Sequence, residues 1–515
     1  MNAIYSCCIV DPFLDVARTL ESKCGVIPVY WIGDIDSARD NEKTEGMVKE
    51  AYPQIEYQSF FDAWHGKFSP EIMEKSSQMY VDIDFLNSVS SQELQALSMM
   101  DRLDYDHKSF NYMERESYFL NLIKRWLYVI NEYKPDVVIS AVNPHRVFDY
   151  VLYILCRYKG IKFISFQFSI YGAGRIFPLL YFSEPDAMER LLREEYEKSL
   201  KNTYSLDDLT EDFKKELVKL NATYDEAMPF YMKAHNVDDI KNKKMTFLFK
   251  RFMKSHHLFG KHGMFTEGQK DTIYKNSKFD IESSRFSIWD WYKKRKEALE
   301  YSKELHAYYN QIASSVSFDK KYIIFFLHYQ PEETTSPCGG VFANQSLCIE
   351  TLLENTPDDV YVYIKEHPNQ FMSHMQGHTK RIRRFYDDLI KNPRVRFVPL
   401  EMDSFTLIKN AIAVSTVTGT VGWESVVRKK PVIIFGVIWY ECMRGVLRVK
   451  DDESASKIYE FINKYEYNEQ ALYAYLHTFS QHTIQAYHYS TYKELTGISH
   501  NDSVNRLVQA ISSFL

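Results

Sequence analysis

Short apolar runs rich in β-branched and aromatic residues alternate with helical patterns in two separate parts of the sequence. The runs of the first part span 4–10, 26–32, 137–141 and 162–168, and those of the second part span 322–329, 360–365, 395–398, 412–415 and 431–435. Such runs are typical of strands buried on both faces of a parallel sheet. The pattern therefore predicts an α/β protein with two Rossmann-like, doubly wound domains that face each other across a cleft.

The length supports more than one domain, because 515 residues exceed what a single hydrophobic core usually holds. Long charged helical stretches separate the two series, and further helical patterns follow the second one. We therefore expect four regions: an N-terminal Rossmann-like domain over 1–185, a helical insert or bridge over 186–318, a C-terminal Rossmann-like domain over 319–455, and C-terminal helices over 456–515.

Composition excludes several classes of function. The formal net charge of −6 provides no overall basic surface, so we expect no nucleic-acid partner. No apolar run is long enough to cross a membrane and the N-terminus does not resemble a signal peptide, which predicts a cytoplasmic protein. The seven cysteines are scattered without a CxxC pair, and no aspartate-rich cluster occurs. We therefore expect no disulfide framework, no metal and no cofactor.

The clearest motif is a Gly/Thr-rich turn that leads from a predicted strand into a helix. Thr418, Gly419 and Thr420 form this turn, Ser415 precedes it, and Glu424 lies one helical turn later. Small residues, hydroxyl donors and the amide groups of a helix start favour a bound phosphate, and a carboxylate at Glu424 can accept hydrogen bonds from ribose hydroxyls. The alternative is an ordinary strand–helix turn with a glycine for tight packing and a threonine cap.

Two further motifs follow predicted strands of the second series. Lys365 and His367 come at the end of one strand, two residues apart, so both can meet a diphosphate or phosphoester group. After an earlier strand, Gln330, Glu332 and Thr334 lie in a loop rich in proline and glycine. They are candidates for the cleft between the domains, Gln330 as a ligand-binding residue and Glu332 as a catalytic carboxylate. Each of these residues can instead be structural or solvent-exposed.

In the first half, His145 and Asp149 follow the predicted strand 137–141 and are candidates for a catalytic base. The alternative is that they only begin a helix. Asp11 and Arg175 are further candidates for the cleft.

The three motifs of the second half, in this order, resemble those of the capsule polysaccharide biosynthesis family. The resemblance covers about 320–445 and rests on a QPE loop from Gln330, a KEHP motif from Lys365, the turn that ends at Glu424, and a KPVI strand followed by Phe435 and Gly436. It implies a GT-B glycosyltransferase with a nucleotide-sugar donor in the second domain, an acceptor mostly in the first, and no metal.

Similar enzymes that use CMP-activated acidic sugars, such as Kdo transferases, carry an HP motif whose histidine contacts the donor phosphate. The resemblance gives that role to His367, and the accompanying hydroxyl to Ser415 or Thr416. It implies transfer of a sugar from a nucleotide-sugar donor to a surface polysaccharide or lipid-linked glycan. The first choice of donor is CMP-Kdo or a related CMP-sugar. Three alternatives stay open: a UDP-sugar 2-epimerase-like enzyme, a CDP-polyol phosphotransferase, and a non-catalytic capsule assembly or export factor.

The predicted insert contains a basic segment over 241–265, from Lys241 to Phe265. It carries seven Lys or Arg and no acidic residue, interleaved with Phe, Leu and Met. This pattern suits an anionic membrane surface, where lipid-linked acceptors reside, although a packed helix with a solvated basic face explains it too. A peripheral location on the inner face of the cytoplasmic membrane is therefore a hypothesis.

Overall fold

The computed structural model describes residues 1–34, 41–104, 110–169, 175–180, 187–221, 288–332, 334–372, 375, 377–489, 492–494 and 497–515. Its strands, numbered along the chain, are β1 (Asn2–Ser6), β2 (Ile27–Ile32), β3 (Glu56–Gln58), β4 (Val137–Ser140), β5 (Lys162–Phe168), β6 (Arg175–Leu180), β7 (Lys321–Phe326), β8 (Val360–Lys365), β9 (Val395–Phe397), β10 (Ala413–Thr416), β11 (Val432–Ile434), β12 (Val446–Arg448) and β13 (Ile484–Gln485).

The helices of the described part are numbered in the same way. They are α1 (Val10–Cys24), α2 (Asn41–Ala51), α3 (Phe60–Trp64), α4 (Pro70–Ser76), α5 (Ile83–Ser88), α6 (Ser90–Met99), α7 (Tyr112–Tyr133), α8 (Val147–Lys159), α9 (Ala187–Ser199), α10 (Glu211–Leu220), α11 (Ile288–Ile312), α12 (Thr335–Cys338), α13 (Gln345–Glu354), α14 (Arg383–Ile390), α15 (Ser404–Asn410), α16 (Thr420–Val427), α17 (Asp452–Ser456), α18 (Ile458–Lys464), α19 (Glu469–His482) and α20 (His500–Ser512).

The first sheet has seven strands in the order β13-β6-β5-β4-β1-β2-β3. The strands β1 to β5 are parallel, whereas β6 runs antiparallel to β5 and β13 antiparallel to β6. Alternate side chains along β1 enter two different cores, since Ile4 packs on one face of the sheet and Ala3 and Tyr5 on the other. This alternation is the signature of a sheet covered by helices on both faces.

The second sheet has six parallel strands in the order β12-β11-β10-β7-β8-β9. Its central strand β7 again divides its side chains between two cores, with Ile324 in one and Ile323 and Phe325 in the other. The predicted α/β architecture, with two Rossmann-like sheets of the GT-B type, is therefore confirmed.

The C-terminal tail returns to the first sheet. Ile484 of β13 pairs with Ile176 of β6, and α20 packs along α1 with Leu507 and Ile511 buried in the same core as Tyr5 of the first sheet. By contrast, Tyr475 of α19 is buried in the same core as Ile324 of the second sheet. The tail therefore joins the two halves of the molecule and supplies a strand as well as the expected helices.

A second link between the halves is formed by the single turn of 3-10 helix at Met100–Arg102. Asp101 pairs with Lys380, and Arg102 donates to the backbone oxygens of Glu332 (3.1 Å) and His145. The ends of the two sheets are thereby held facing each other. Of the predicted insert, α9, α10 and α11 are described, while residues 222–287, including the basic segment 241–265, lie outside the described residues.

Candidate functional site

A cavity of about 910 Å³ lies between the two halves, at the carboxyl ends of β4 and β5 on one side and of β7, β8, β10 and β11 on the other. This is the edge at which open α/β sheets bind their ligands. Of the residues that the sequence predicted for the site, ten line the cavity: His145, Glu332, Thr334, Lys365, His367, Thr416, Thr418, Gly419, Thr420 and Glu424.

His367 follows β8 directly and caps a short 3-10 helix, Pro368–Phe371. Its Nδ1 accepts a hydrogen bond from the backbone amide of Asn369 at 3.1 Å. Because Nδ1 is an acceptor, the proton of the neutral ring lies on Nε2. The fold thus fixes the tautomer in which His367 is a hydrogen-bond donor through Nε2 at the wall of the cavity.

Glu366 also belongs to the cavity lining, and its carboxylate is bonded inside the protein. It is fully buried, and its Oε2 lies 2.9 Å from Nε of Arg381 and accepts from the Tyr386 hydroxyl at 2.7 Å. Its Oε1 accepts from the backbone amide of His367 at 2.8 Å. The glutamate of the KEHP motif therefore holds the histidine in place, a role that the sequence did not indicate.

Lys365 lies in the cavity wall and is tied to the loop before α15. Its Nζ donates to Ser404 Oγ at 2.9 Å and to the backbone oxygen of Met402. Burial lowers the pKa of this ammonium group to about 8, although Asp403 and Glu401 nearby oppose the shift. An ammonium group has three donors, so one remains for a ligand after these two bonds.

His328, two residues after the end of β7, is a site residue that sequence reasoning missed. Its Nε2 accepts from the backbone amide of Thr418 at 3.0 Å and lies 3.1 Å from Thr416 Oγ1. The ring proton is therefore on Nδ1, which donates to Glu332 Oε2 at 2.6 Å. His328 joins the loop of Glu332 to the Gly/Thr-rich turn, and its position two residues after a strand was the available signal.

The contact with His328 also sets the charge of Glu332. Burial alone would raise the pKa of this carboxyl, but His328 and the nearby His367 outweigh it and hold the pKa below its ordinary value. Glu332 is therefore an ionised carboxylate at neutral pH.

Two predicted ligand-binding residues do not line the cavity. The amide of Gln330 is buried and donates to Thr335 Oγ1 at 2.6 Å. Ser415 is fully buried in β10 and its hydroxyl donates to the backbone oxygen of Ile433 at 3.0 Å. Both side chains hold neighbouring backbone segments together in this structure.

The Gly/Thr-rich turn begins α16, with Gly419 as the N-cap residue and no side-chain cap. A Cβ on Gly419 would lie 2.7 Å from Thr416 Oγ1, and one on Gly422 would lie 2.3 Å from the Tyr440 hydroxyl. Both glycines are therefore required by packing within the protein. The uncapped amides at the start of α16 are suited to an anion.

Glu424 lies in the cavity wall, one turn into α16. Burial raises the pKa of its carboxyl from the ordinary 4.5 to about 7, although Arg428 opposes the shift. Between these values the folded protein keeps a proton that the unfolded chain has released. Stability therefore falls as pH rises through this range.

We expect the variant Glu424→Gln to remove this pH dependence. Its melting temperature should rise relative to the parent between pH 5 and pH 8, because the glutamine stays neutral where the carboxyl must ionise. Thermal denaturation of both proteins across this range measures the effect. A difference that stays constant from pH 5 to pH 8 would contradict the assignment.

In the first half, His145 lines the cavity. Its Nδ1 donates to the backbone oxygen of Asn143 at 2.6 Å, so Nε2 is the acceptor and receives Nε–H of Arg146 at 3.2 Å. Asp149 is fully buried below this wall and accepts from the backbone amides of Arg146 (2.7 Å) and His145 (3.4 Å). Asp149 caps α8, and burial raises its pKa to about 6.

The remaining candidates of the first half do not line the cavity. Asp11 accepts from Tyr487 and Lys493, each at 2.5 Å, and lies 2.7 Å from His500 Nδ1. Arg175 pairs with Asp212 at 2.5 Å. These contacts fasten the tail to α1 and the insert to β6.

Among the residues that the structure describes, no three His, Cys, Asp or Glu side chains are grouped so that they can hold a metal ion. No described helix is both long enough and apolar enough to span a membrane.

Residues 295–493 match the model of a family described as capsule polysaccharide biosynthesis protein. The resemblance that the three motifs predicted is thereby confirmed over this region. No match is found among curated proteins.

Solved structures similar to this chain include two kinds of enzyme. A UDP-GlcNAc 2-epimerase from Methanocaldococcus jannaschii is 13% identical with a TM-score of 0.24, over 99% of both chains. The beta Kdo 2,7 transferase of Thermosulfurimonas dismutans KpsC is 9% identical with a TM-score of 0.29, over 75% of this chain and 89% of that one. Because these identities and TM-scores are low, the chemistry of the site is argued from the residues of this chain.

Proposed function

We propose that this chain is a glycosyltransferase whose second half holds a nucleotide-sugar donor. The observation that carries the proposal is that His367, with its donor Nε2, and the uncapped start of α16, with Thr418 and Thr420, line one cavity. Helix-start amides, threonine hydroxyls and a fixed N–H donor are the groups that bind phosphates. The donor phosphates would lie between His367, after β8, and the start of α16, after β10.

The same groups suit catalysis without a metal or a cofactor. When the glycosidic bond breaks, negative charge develops on the departing nucleotide, and fixed donors aimed at it lower the barrier. His367 supplies such a donor and Lys365 adds a positive charge beside it. Glu424, on the same wall, would accept hydrogen bonds from the ribose hydroxyls.

The donor that we favour is CMP-Kdo or a related CMP-sugar, and the acceptor is a surface polysaccharide or a lipid-linked glycan. The match of residues 295–493 to a capsule polysaccharide biosynthesis family supports this choice. Contact with an anionic membrane through the segment 241–265 would bring the protein to a lipid-linked acceptor at the inner face of the cytoplasmic membrane.

The catalytic base has to lie near the acceptor. His145 fits best, because it lines the cavity from the first half and its Nε2 can take the proton of an acceptor hydroxyl that displaces the N–H of Arg146. Glu332 lies in the cavity but is held ionised, and a lowered pKa makes a weaker base. Asp149 has a more suitable pKa of about 6, yet it is fully buried and already accepts two backbone amides.

The size of the cavity favours transfer between two substrates. At about 910 Å³ it lies near the upper end of the range for ligand pockets, and it is lined from both halves. A 2-epimerase acts on one nucleotide sugar and needs less space. The phosphotransferase and the non-catalytic factor remain as outcomes of the nucleotide test below.

We expect CMP to stabilise the protein more than UDP, GDP or CDP do. A ligand that binds only the folded state raises the free energy of unfolding by about 2.7 kcal/mol at a hundred times its Kd. Thermal denaturation with each nucleotide measures this. Preference for UDP would favour the epimerase-like alternative and preference for CDP the phosphotransferase, while tight binding without turnover would favour the assembly factor. Stabilisation by none of the four would contradict the proposal.

A further inference from the structure

The wall of the cavity that belongs to the first half is built largely from aromatic rings. Phe168, at the end of β5, stacks on Tyr492 with ring centroids 4.4 Å apart and planes 22° apart. His488 stacks on the same Tyr492 at 5.3 Å and 11°, and Tyr489 packs edge-on against His488 at 4.9 Å. We call these four residues the aromatic shelf. All four line the cavity, and three of them come from the C-terminal tail.

His488 is the member of the aromatic shelf whose ring carries hydrogen-bonding nitrogens. It is 2% exposed, and its Nδ1 has no hydrogen-bond partner among the described residues. Burial lowers its pKa to about 3, so the ring is neutral and has one donor and one acceptor nitrogen. A buried polar group without a partner is unfavourable unless a ligand or water supplies one.

Two amide side chains line the cavity on the same side. Gln167 precedes Phe168 in β5, and Asn143 follows β4, where its Oδ1 accepts from Ser165 Oγ at 3.1 Å. Amides offer both donors and acceptors without a charge. The first half thus presents flat apolar rings bordered by neutral hydrogen-bonding groups.

The two sides of the cavity differ in charge. The side of the second half is rich in charged groups of both signs: Lys365, Arg448 and Lys450, and the carboxylates Glu332, Glu366, Glu424 and Glu441. On the side of the first half, Arg146 is the one Lys, Arg, Asp or Glu among the described lining residues, and its guanidinium lies over the Phe60 ring at 4.6 Å. The wall of the first half therefore carries few charged side chains, which suits an uncharged ligand.

We propose that the aromatic shelf binds an uncharged pyranose ring of the acceptor glycan, a hexose or an N-acetylhexosamine. The C–H face of the sugar packs on the rings of Phe168 and Tyr492, while its hydroxyls bond to His488 and to the neighbouring amides. This subsite rests on the proposed function, since it gives the acceptor a place opposite the donor phosphates. It also gives the C-terminal tail a direct part in substrate binding.

The test uses the full chain and saturation-transfer NMR with methyl glycosides of glucose, galactose, mannose and N-acetylglucosamine as probes. We expect at least one glycoside to bind the parent and to receive saturation from aromatic protons. In Tyr492→Ala its Kd should rise tenfold or more. In His488→Phe, which keeps the ring stack and removes the two nitrogens, the Kd should rise at least fivefold. Tyr80→Ala, an exposed tyrosine outside the cavity, should match the parent.

The outcomes separate this subsite from the donor site, because nucleotide stabilisation is measured on the same proteins. Nucleotide binding unchanged in the variants, together with weaker glycoside binding, supports the subsite. If no glycoside binds the parent, or if Tyr492→Ala and His488→Phe bind it as well as the parent does, the subsite is wrong while the donor site stands. If a glycoside binds through the aromatic shelf but the protein binds no nucleotide, the proposed sugar transfer is wrong while the subsite stands.

Discussion

Sugar transfer is expected to fall about a hundredfold or more when His367 is replaced by alanine, the loss seen when one fixed electrostatic donor is removed. The structure gives a physical reason. The amide of Asn369 occupies Nδ1, so the ring can donate only through Nε2, at the wall of the cavity. A donor that acts mainly on the charge of the departing nucleotide lowers kcat more than it changes nucleotide affinity.

The measurement compares initial rates of transfer, with and without EDTA, for the parent and His367→Ala. His477→Ala is a matched control, because this histidine is also partly buried but does not line the cavity. Both variants should keep the melting temperature of the parent within a few degrees. Transfer that persists in His367→Ala and resists EDTA would falsify the assignment, and transfer abolished by EDTA in the parent would indicate a metal-dependent mechanism.

The parallel strands were predicted best where both of their faces are buried. The bounds of β5 and β8 agree with the predicted runs 162–168 and 360–365. The run 4–10 was too long, because β1 ends at Ser6 and Cys7 adopts a positive φ of 53° before α1 begins. Apolar character continues through this turn, so composition alone does not mark the end of the strand.

Contacts between segments that are distant in sequence determine those helix starts and short strands that the sequence patterns did not predict. The helix α14 begins only at Arg383, because Arg381 lies outside the helical path and reaches Glu366 inside the protein. The strands β12 and β13 have three and two residues, too few for a periodic pattern. Their existence depends on neighbours that are distant in sequence.

The position of the candidate site was more predictable than its contacts. Strand ends of parallel sheets converge on one edge, and this rule brought His367 and Thr418 to one cavity. The bond from Thr418 to His328 joins residues 90 positions apart, and no local pattern indicates it. For Asp149 a local pattern exists but is ambiguous, because its spacing from His145 fits a helix cap as well as a catalytic pair.

The largest effect on stability is expected from Arg381→Leu. Its guanidinium and the Glu366 carboxylate form an ion pair that is 3% and 0% exposed, and Arg381 also donates to the backbone oxygen of His328 at 3.2 Å. Removing the arginine leaves a buried carboxylate whose remaining partners, among the residues that the structure describes, are the Tyr386 hydroxyl and the His367 amide. Loss of one partner of such a pair lowers the free energy of unfolding by about 3–5 kcal/mol.

Denaturant unfolding of a double-mutant cycle separates the ion pair from general packing. The double variant Glu366→Gln with Arg381→Leu carries no buried charge, so it should recover much of the stability that Arg381→Leu loses. The exposed pair of Lys321 and Asp359, 2.9 Å apart and 59% exposed on both sides, is the control. Lys321→Ala should change stability by less than about 1 kcal/mol. If Arg381→Leu costs no more than this control, or if the double variant is less stable than Arg381→Leu, the buried pair does not hold the loops of His328 and His367 as the structure implies.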